Sequence, residues 1–141
     1  LKVTLIESNN KKCNFLNILK EKLDLLNLTI INSRAEDYSK NNRELFDIVT
    51  SRAVAPLKHL LEYSIPLVKV NGYYIAMKSN IDNEITNIDN YYKKLDITKI
   101  NDIKFKLPIE NSNRTLIIYK KNNKTNNIYP RKYTEIKKKD I

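Results

Sequence analysis

Apolar residues occur in short continuous runs, separated by longer segments in which they recur every three to four positions. The short runs predict buried strands, and the period of 3.6 residues predicts amphipathic helices. Strands and helical segments alternate along most of the chain, so the pattern favours an α/β fold. The predicted strands are Lys2–Ser8, Leu28–Ser33, Phe46–Ser51, Tyr73–Lys78, Thr98–Leu107 and Thr115–Lys120.

The first predicted helix starts at Lys11, after Asn9 and Asn10, which offer an N-cap. A weaker helical pattern covers Ile81–Leu95, and Arg34–Arg43 is expected to be a polar connection. The apolar stripe of the first helix consists of Phe15, Leu16, Leu19, Leu23 and Leu26.

A further helix is expected to begin at Pro56, a residue that suits the first helical turn. Pro66 should kink or shorten this helix, and the Asn71-Gly72 pair should end it. Its apolar stripe consists of Leu57, Leu60, Leu61, Ile65 and Val68.

Strands that are joined by helices predict a mostly parallel sheet. Thr98–Leu107 and Thr115–Lys120 follow each other without a helix, so we expect Thr115–Lys120 to be antiparallel at one edge. Residues 1–120 are expected to form the main domain and residues 121–141 a basic tail, with Lys120–Asn127 as a mobile linker.

Composition adds a strongly basic balance, with a formal net charge of +10 and a pI near 9.6. This balance is typical of nucleic-acid-binding proteins, although an AT-rich genome would enrich Asn, Lys, Ile and Tyr without any selection for RNA binding. No apolar run is long enough to span a bilayer, and no secretory signal is visible. Cys13 is the single cysteine, and no Cys/His cluster would bind zinc. We therefore expect a cytoplasmic protein without a membrane segment or a metal.

Candidate chemistry follows the predicted strands, because ligands of open α/β sheets bind beyond the carboxyl ends of the strands. Glu7 would bond ribose hydroxyls there, although a glutamate at this position is also an ordinary charge at a helix N-terminus. Arg52 has the alternative of being a surface cation. Gly72 is the only glycine, which excludes a GxGxxG or Walker loop. The other strand-end residues are Ser8, Arg34, Ala35, Glu36, Ser51, Lys78 and Ser79.

The order of motifs resembles the RsmG family, also called glucose-inhibited division protein B. The motifs are VTLIES with NNKK, SRAE, FDIVTSRAVAPL, PLVKVNGYYIAMK, FKLPIENSNRTLIIYKK and YPRK, and they run through nearly the whole chain. The resemblance implies a Rossmann-like fold and methylation of guanine N7 in 16S ribosomal RNA of the small ribosomal subunit, with S-adenosylmethionine as methyl donor.

The resemblance also implies roles for individual residues. Arg52 and Lys78 match positions of the catalytic site, and Glu7, Ala35, Glu36 and Arg52 match positions that bind the cofactor. Lys11, Lys12 and Arg114 match basic family positions and are candidates for RNA contact. Arg131 and Lys132 are further candidates because their charges in the tail suit contacts with phosphates, with a frayed, solvated terminus as the alternative.

The chain departs from the family at its start. It begins at Leu1, inside a predicted strand, without the strand and glycine-rich loop that members carry upstream. We therefore expect an incomplete, inactive C-terminal part that is a monomer. Lys2–Ser8 should either stand apart from Phe46–Ser51 across an open slot, where the missing strand would lie, or pair with it directly, and we favour the open slot. A non-catalytic RNA-binding half-domain and a different Rossmann-type enzyme remain as alternatives.

Overall fold

Strands and helices alternate along the chain, as the apolar pattern predicts. The structure, a computed structural model, describes residues 1–52, 55–79 and 84–141. The strands are β1 (Val3–Glu7), β2 (Leu28–Asn32), β3 (Phe46–Arg52), β4 (Val68–Lys78), β5 (Ile97–Lys106) and β6 (Asn113–Lys121). The helices are α1 (Asn10–Lys22), α2 (Ala35–Asn41), α3 (Leu57–Ser64), α4 (Asp89–Leu95) and α5 (Tyr133–Lys138), with a 3₁₀ turn at Ile65–Leu67.

The described strands form two sheets. β1 pairs with β2 in parallel, and a separate sheet has the order β3-β4-β6-β5. In that sheet β3 and β4 are parallel, and β6 is antiparallel to both of its neighbours. The α/β fold and the antiparallel last strand are thus confirmed.

The predicted edge position of β6 is wrong, because β6 lies between β4 and β5. Residues alternate along β6 between buried and half-buried positions, whereas most of β5 after Ile97 is exposed. The more apolar strand therefore takes the position that is paired on both sides, and β5 tolerates the edge.

Helix α3 ends earlier than its apolar stripe predicts. Pro66 converts the chain to the 3₁₀ turn, and β4 begins at Val68. Asn71 and Gly72 consequently lie inside β4, where the register against β3 shifts, rather than at a helix end. A Cβ on Gly72 would lie 2.7 Å from the carbonyl oxygen of Asp47, so the close approach of the two strands requires glycine.

The segment Arg34–Arg43, predicted to be a polar connection, contains helix α2. Glu36 and Asp37 lie in its first turn, where negative charge is favourable for a helix. Of the predicted helix Ile81–Leu95, the described part forms α4 from Asp89, and residues 81–83 lie outside the described residues.

The tail is an ordered part of the fold rather than a mobile linker followed by a free end. The guanidinium of Arg43 donates hydrogen bonds to the carbonyls of Thr125 and Tyr129, both at 2.6 Å, and to that of Asn126 at 3.2 Å. The side chain of Ile136, in α5, is 2% exposed. Charged hydrogen bonds to backbone carbonyls and apolar burial together offset the cost of ordering this polar segment.

An open cleft separates β1 from β3, so the predicted open slot is confirmed. Among the described residues β1 pairs only with β2, and a cavity of about 670 Å³ lies between the first halves of β1 and β3. Its apolar lining includes Val3, Leu45, Phe46 and Ile48.

Candidate active site and RNA-facing edge

The predicted site residues lie along one edge of the two sheets. Glu7, Arg52 and Lys78 are the last residues of β1, β3 and β4, whose carboxyl ends define this edge. Arg114 lies at the same edge, because β6 begins there and Thr115 pairs with Lys78.

Glu7 is half-buried where β1 turns into α1. Its Oε1 accepts a hydrogen bond of 2.8 Å from the backbone N–H of Asn9, and Asn9 in turn caps α1 through the N–H of Lys12. Its Oε2 makes no hydrogen bond to a described residue, so that oxygen remains an acceptor at the edge.

Glu36 is the buried carboxylate of the site. It is 5% exposed, in the first turn of α2 next to Ala35, and its Oε1 has no hydrogen-bond partner among the described residues. The nearest cation is the guanidinium of Arg34, 3.6 Å away. Burial, and after it the negative charge of Glu36, raises the pKa of Tyr63 to about 12. A buried acceptor without a donor is costly, which makes this oxygen a candidate ligand position.

The two predicted catalytic residues differ in how they are held. The side chain of Arg52 is exposed at the end of β3 and makes no hydrogen bond to a described residue. The ammonium of Lys78 lies 2.8 Å from Glu84 Oε2 and donates to the carbonyl of Ala55 at 3.0 Å. Arg52 is therefore free to contact a substrate, whereas Lys78 is engaged within the protein.

Glu84 is a residue that the sequence reasoning missed. Besides Lys78, its Oε2 accepts the backbone N–H of Leu57 at 2.6 Å, which is the first residue of α3. Glu84 thus joins the segment after β4 to the start of α3. An acidic residue in a polar stretch carries no sequence signal of such a contact.

The RNA-contact candidates also divide into exposed residues and residues that are bonded within the protein. Lys11, Lys12 and Lys132 are exposed, and the guanidinium of Arg114 donates to the carbonyl of Asn113 at 2.8 Å.

Arg131, by contrast, is held inside the protein by Glu62, whose side chain is fully buried. Its Nε and Nη2 donate to the two carboxylate oxygens at 2.9 and 2.8 Å, and its backbone N–H donates to Oε1 at 2.8 Å. This hydrogen-bonded carboxylate raises the pKa of Arg131. We therefore interpret Arg131 as an anchor of the tail rather than an RNA contact.

Two further structural features concern residues 1–52, 55–79 and 84–141. No helix in these ranges has the length and apolar character needed to cross a membrane. No group of three or more His, Cys, Asp or Glu side chains in them is arranged to hold a metal ion.

Comparison with known proteins finds a matching family model, curated relatives and solved structures with the same fold. The family model described as "GidB: rRNA small subunit methyltransferase G" matches residues 1–117. A ribosomal RNA small subunit methyltransferase G of Mycoplasma capricolum is 46% identical over 98% of this chain and 59% of its own length. One of Desulforamulus reducens is 43% identical over 94% of this chain and 56% of its own length. The chain thus spans somewhat more than half of these relatives.

Solved methyltransferase structures share the fold. The crystal structure of M. jannaschii TYW2 in complex with AdoMet aligns with a TM-score of 0.64 at 16% identity, over 84% of this chain and 56% of that one. An rRNA methylase from Streptococcus thermophilus aligns with a TM-score of 0.59 at 19% identity, over 86% of this chain and 74% of that one. At these identities the likeness shows a Rossmann-like methyltransferase fold.

Proposed function

The chain belongs to the family of rRNA small subunit methyltransferase G, and we propose that it is the C-terminal part of an enzyme that methylates guanine N7 in 16S ribosomal RNA. S-adenosylmethionine is the methyl donor in this proposal, and the small ribosomal subunit or its RNA is the substrate. Cytoplasmic location and a monomeric state stay predictions.

The buried Oε1 of Glu36 is the observation that carries this proposal. A carboxylate is an acceptor only, and this oxygen has no donor among the described residues. The adenosine part of S-adenosylmethionine carries N–H and O–H groups, so it supplies the hydrogen-bond donor that Oε1 of Glu36 lacks. The site fits the cofactor, with Ala35 and Glu36 beside the adenosine.

Glu7 supplies a second acceptor at the same edge. Its Oε1 is used by the turn into α1, which leaves Oε2 without a partner among the described residues. Carboxylates at the end of a strand bind ribose hydroxyls in dinucleotide-binding folds. We assign the ribose of the cofactor to Glu7.

The proposed chemistry makes modest demands on this chain. S-adenosylmethionine supplies an electrophilic methyl group, and guanine N7 has a free lone pair at neutral pH, so no general base is required. The protein has to align the two and provide a suitable electrostatic environment. Arg52, which is exposed and has no hydrogen-bond partner among the described residues, is suited to bond guanine O6 or a neighbouring phosphate. Lys78 acts as a positioning residue that holds Ala55 and Glu84.

We expect the present chain alone to bind S-adenosylmethionine weakly. Gly72 is its only glycine and lies inside β4, so the chain has no glycine-rich loop for the methionine part of the cofactor. Tests of binding and transfer therefore use the complete protein, including the upstream residues that the longer relatives possess.

The decisive experiment is calorimetry of S-adenosylmethionine binding to the Glu36→Gln variant. The amide keeps the shape of the side chain but removes its charge. Loss of a charged hydrogen bond should weaken binding by about tenfold or more. Asp37→Asn is the matched control, because Asp37 lies in the same turn and its side chain is 61% exposed. Equal affinities of the two variants would remove Glu36 from the cofactor site.

A second variant separates an enzyme from a non-catalytic RNA-binding half-domain. Arg52→Ala should lower methyl transfer by about 100-fold or more while the unfolding midpoint stays unchanged. Near-normal turnover would exclude Arg52 from the site. RNA binding by the unaltered complete protein without any methyl incorporation would favour the half-domain.

A further inference from the structure

Two cations lie against the ring of Tyr133, the first residue of α5. The guanidinium carbon of Arg34 and the ammonium nitrogen of Lys137 are each 5.1 Å from the centre of this ring. Tyr133 is 38% exposed, and the side chain of Arg34 is 57% exposed. The group is therefore a surface cluster whose two cations are held by cation–π contacts rather than by burial.

The cations of this cluster have donors that the protein does not use. Arg34 makes no side-chain hydrogen bond to a described residue, and its nearest carboxylate oxygen, on Glu36, is 3.6 Å away. Lys137 forms no ion pair within the described residues. Arg43, in contrast, donates hydrogen bonds to backbone carbonyls, and Arg131 donates to Glu62. Of the basic residues around the tail, Arg34 and Lys137 are thus available to an external anion.

The cluster is built on a fixed frame. Arg131 ties the tail to the buried Glu62 of α3, and Ile136 buries the inner side of α5. The exposed Lys132 directly precedes Tyr133. Binding to a surface that is already ordered avoids much of the entropic cost of fixing a flexible tail.

The position of the cluster indicates which anion it binds. Arg34 immediately precedes Ala35 and Glu36, so the cluster borders the proposed cofactor site. We propose that Arg34 and Lys137, which lie against the ring of Tyr133, together with the exposed Lys132 that precedes it in the chain, bind the phosphate backbone of the RNA strand that carries the target nucleotide. This assignment rests on the proposed function. It gives the anchored tail a role in holding substrate, with Arg131 as the positioning residue.

The test measures binding of a 16S ribosomal RNA fragment to the complete protein over a series of salt concentrations. The Arg34→Gln/Lys137→Gln double variant removes two cations from the cluster. It should make the negative slope of log affinity against log salt shallower by about 1.5. This change weakens binding by about tenfold at moderate salt. The charge-matched control is Lys93→Gln/Lys94→Gln, two exposed lysines at the end of α4, and it should leave the slope unchanged.

A conservative variant shows whether charge is the cause. Arg34→Lys/Lys137→Arg keeps both cations and should bind like the unaltered protein. If the neutral double variant fails to fold, Lys137→Gln alone, at an exposed position of α5, should lower the slope by about half as much.

The test distinguishes failure of this inference from failure of the proposed function. If the unaltered protein binds and methylates RNA but the cluster variant keeps the slope of its control, this surface is wrong and the proposed function stands. If the unaltered protein does not bind the RNA at all, both proposals are overturned.

Discussion

Two units of this chain, each of which contains a β-α-β arrangement, have similar local patterns but very different burial. In the amino-terminal unit (residues 3–32: β1, α1 and β2), Cys13 is the only buried residue, and Phe15 and Ile18 of α1 are 59% and 51% exposed. In the carboxyl-terminal unit (the described part of residues 35–141), Leu57 and Leu61 of α3 are completely buried.

The difference arises from what lies against each helix. Helix α3 packs against the four-stranded sheet, α2 and α4, and the anchored tail closes over its Glu62. Helix α1 packs mainly against the two strands of its own unit. An amphipathic pattern therefore reports which face of a helix is suited to burial, but it does not report whether a partner is present. The open cleft beside β1 fits the proposal that the complete protein supplies further elements here.

The tyrosines provide a convenient probe of this contrast. All nine lie between Tyr38 and Tyr133, within the carboxyl-terminal unit, and the chain has no tryptophan. Tyrosine fluorescence therefore follows the unfolding of that unit alone, whereas circular dichroism follows both.

The largest expected effect comes from breaking the anchor of the tail. Arg131→Ala leaves the buried carboxylate of Glu62 without its guanidinium, and breaking such a pair should cost about 3–5 kcal/mol. Urea unfolding followed by tyrosine fluorescence measures this loss. Adding Glu62→Gln should restore part of the stability, because a neutral amide is less costly to bury than an unpaired carboxylate. A variant as stable as the unaltered chain would show that the tail does not belong to the packed unit.

The next effect compares the two helices directly. Leu61→Ala, at a fully buried position of α3, should cost about 3 kcal/mol, because the transfer term and the cavity add. Leu23→Ala, at the end of α1 where the side chain is 62% exposed, should change stability by less than about 0.5 kcal/mol. Circular dichroism during urea unfolding measures both variants in this chain. Similar losses would contradict the assigned difference in burial.

The smallest effect is the response of the carboxyl-terminal unit to alkaline pH. Burial raises the pKa of Tyr74 to about 12, above its ordinary value near 10. Between these values the unfolded chain binds fewer protons than the folded chain, so the unfolding free energy falls as pH rises. The contribution of Tyr74 to stability is complete below about pH 10 and falls by up to about 1.4 kcal/mol per pH unit towards pH 12.

Two variants assign this alkaline slope to the buried ring. Tyr74→Phe removes one ionisable phenol and should reduce the slope, whereas Tyr63 and Tyr91, whose pKa values burial also raises to about 12, maintain the remainder. Ser51→Ala removes the hydrogen bond of 2.6 Å between Ser51 and Tyr74 but should keep the slope, because the phenol remains. Equal slopes in the two variants would show that Tyr74 does not contribute to the alkaline loss of stability.

Most strands were predictable because their signal is local. Continuous apolar runs gave β1, β2 and β3 within a residue or two of their observed bounds, and Pro66 correctly shortened α3. Local signals failed where a single polar segment had two possible structures. The polar character of Arg34–Arg43 predicts a connection, although the acidic residues in its first turn favour the helix α2 that forms there.

The sequence by itself determined the α/β class, the family resemblance, the carboxyl-edge position of the candidate site and the slot beside β1. The tertiary structure alone decided that β6 lies inside its sheet and that the tail is anchored. It also decided that Lys78 is engaged while Arg52 and Arg34 are exposed. The physical reason is that these outcomes depend on contacts between distant positions, such as Arg131 with Glu62, 69 residues apart, and Arg43 with Tyr129, 86 residues apart. No periodicity within a local window encodes which charged side chain finds a buried partner.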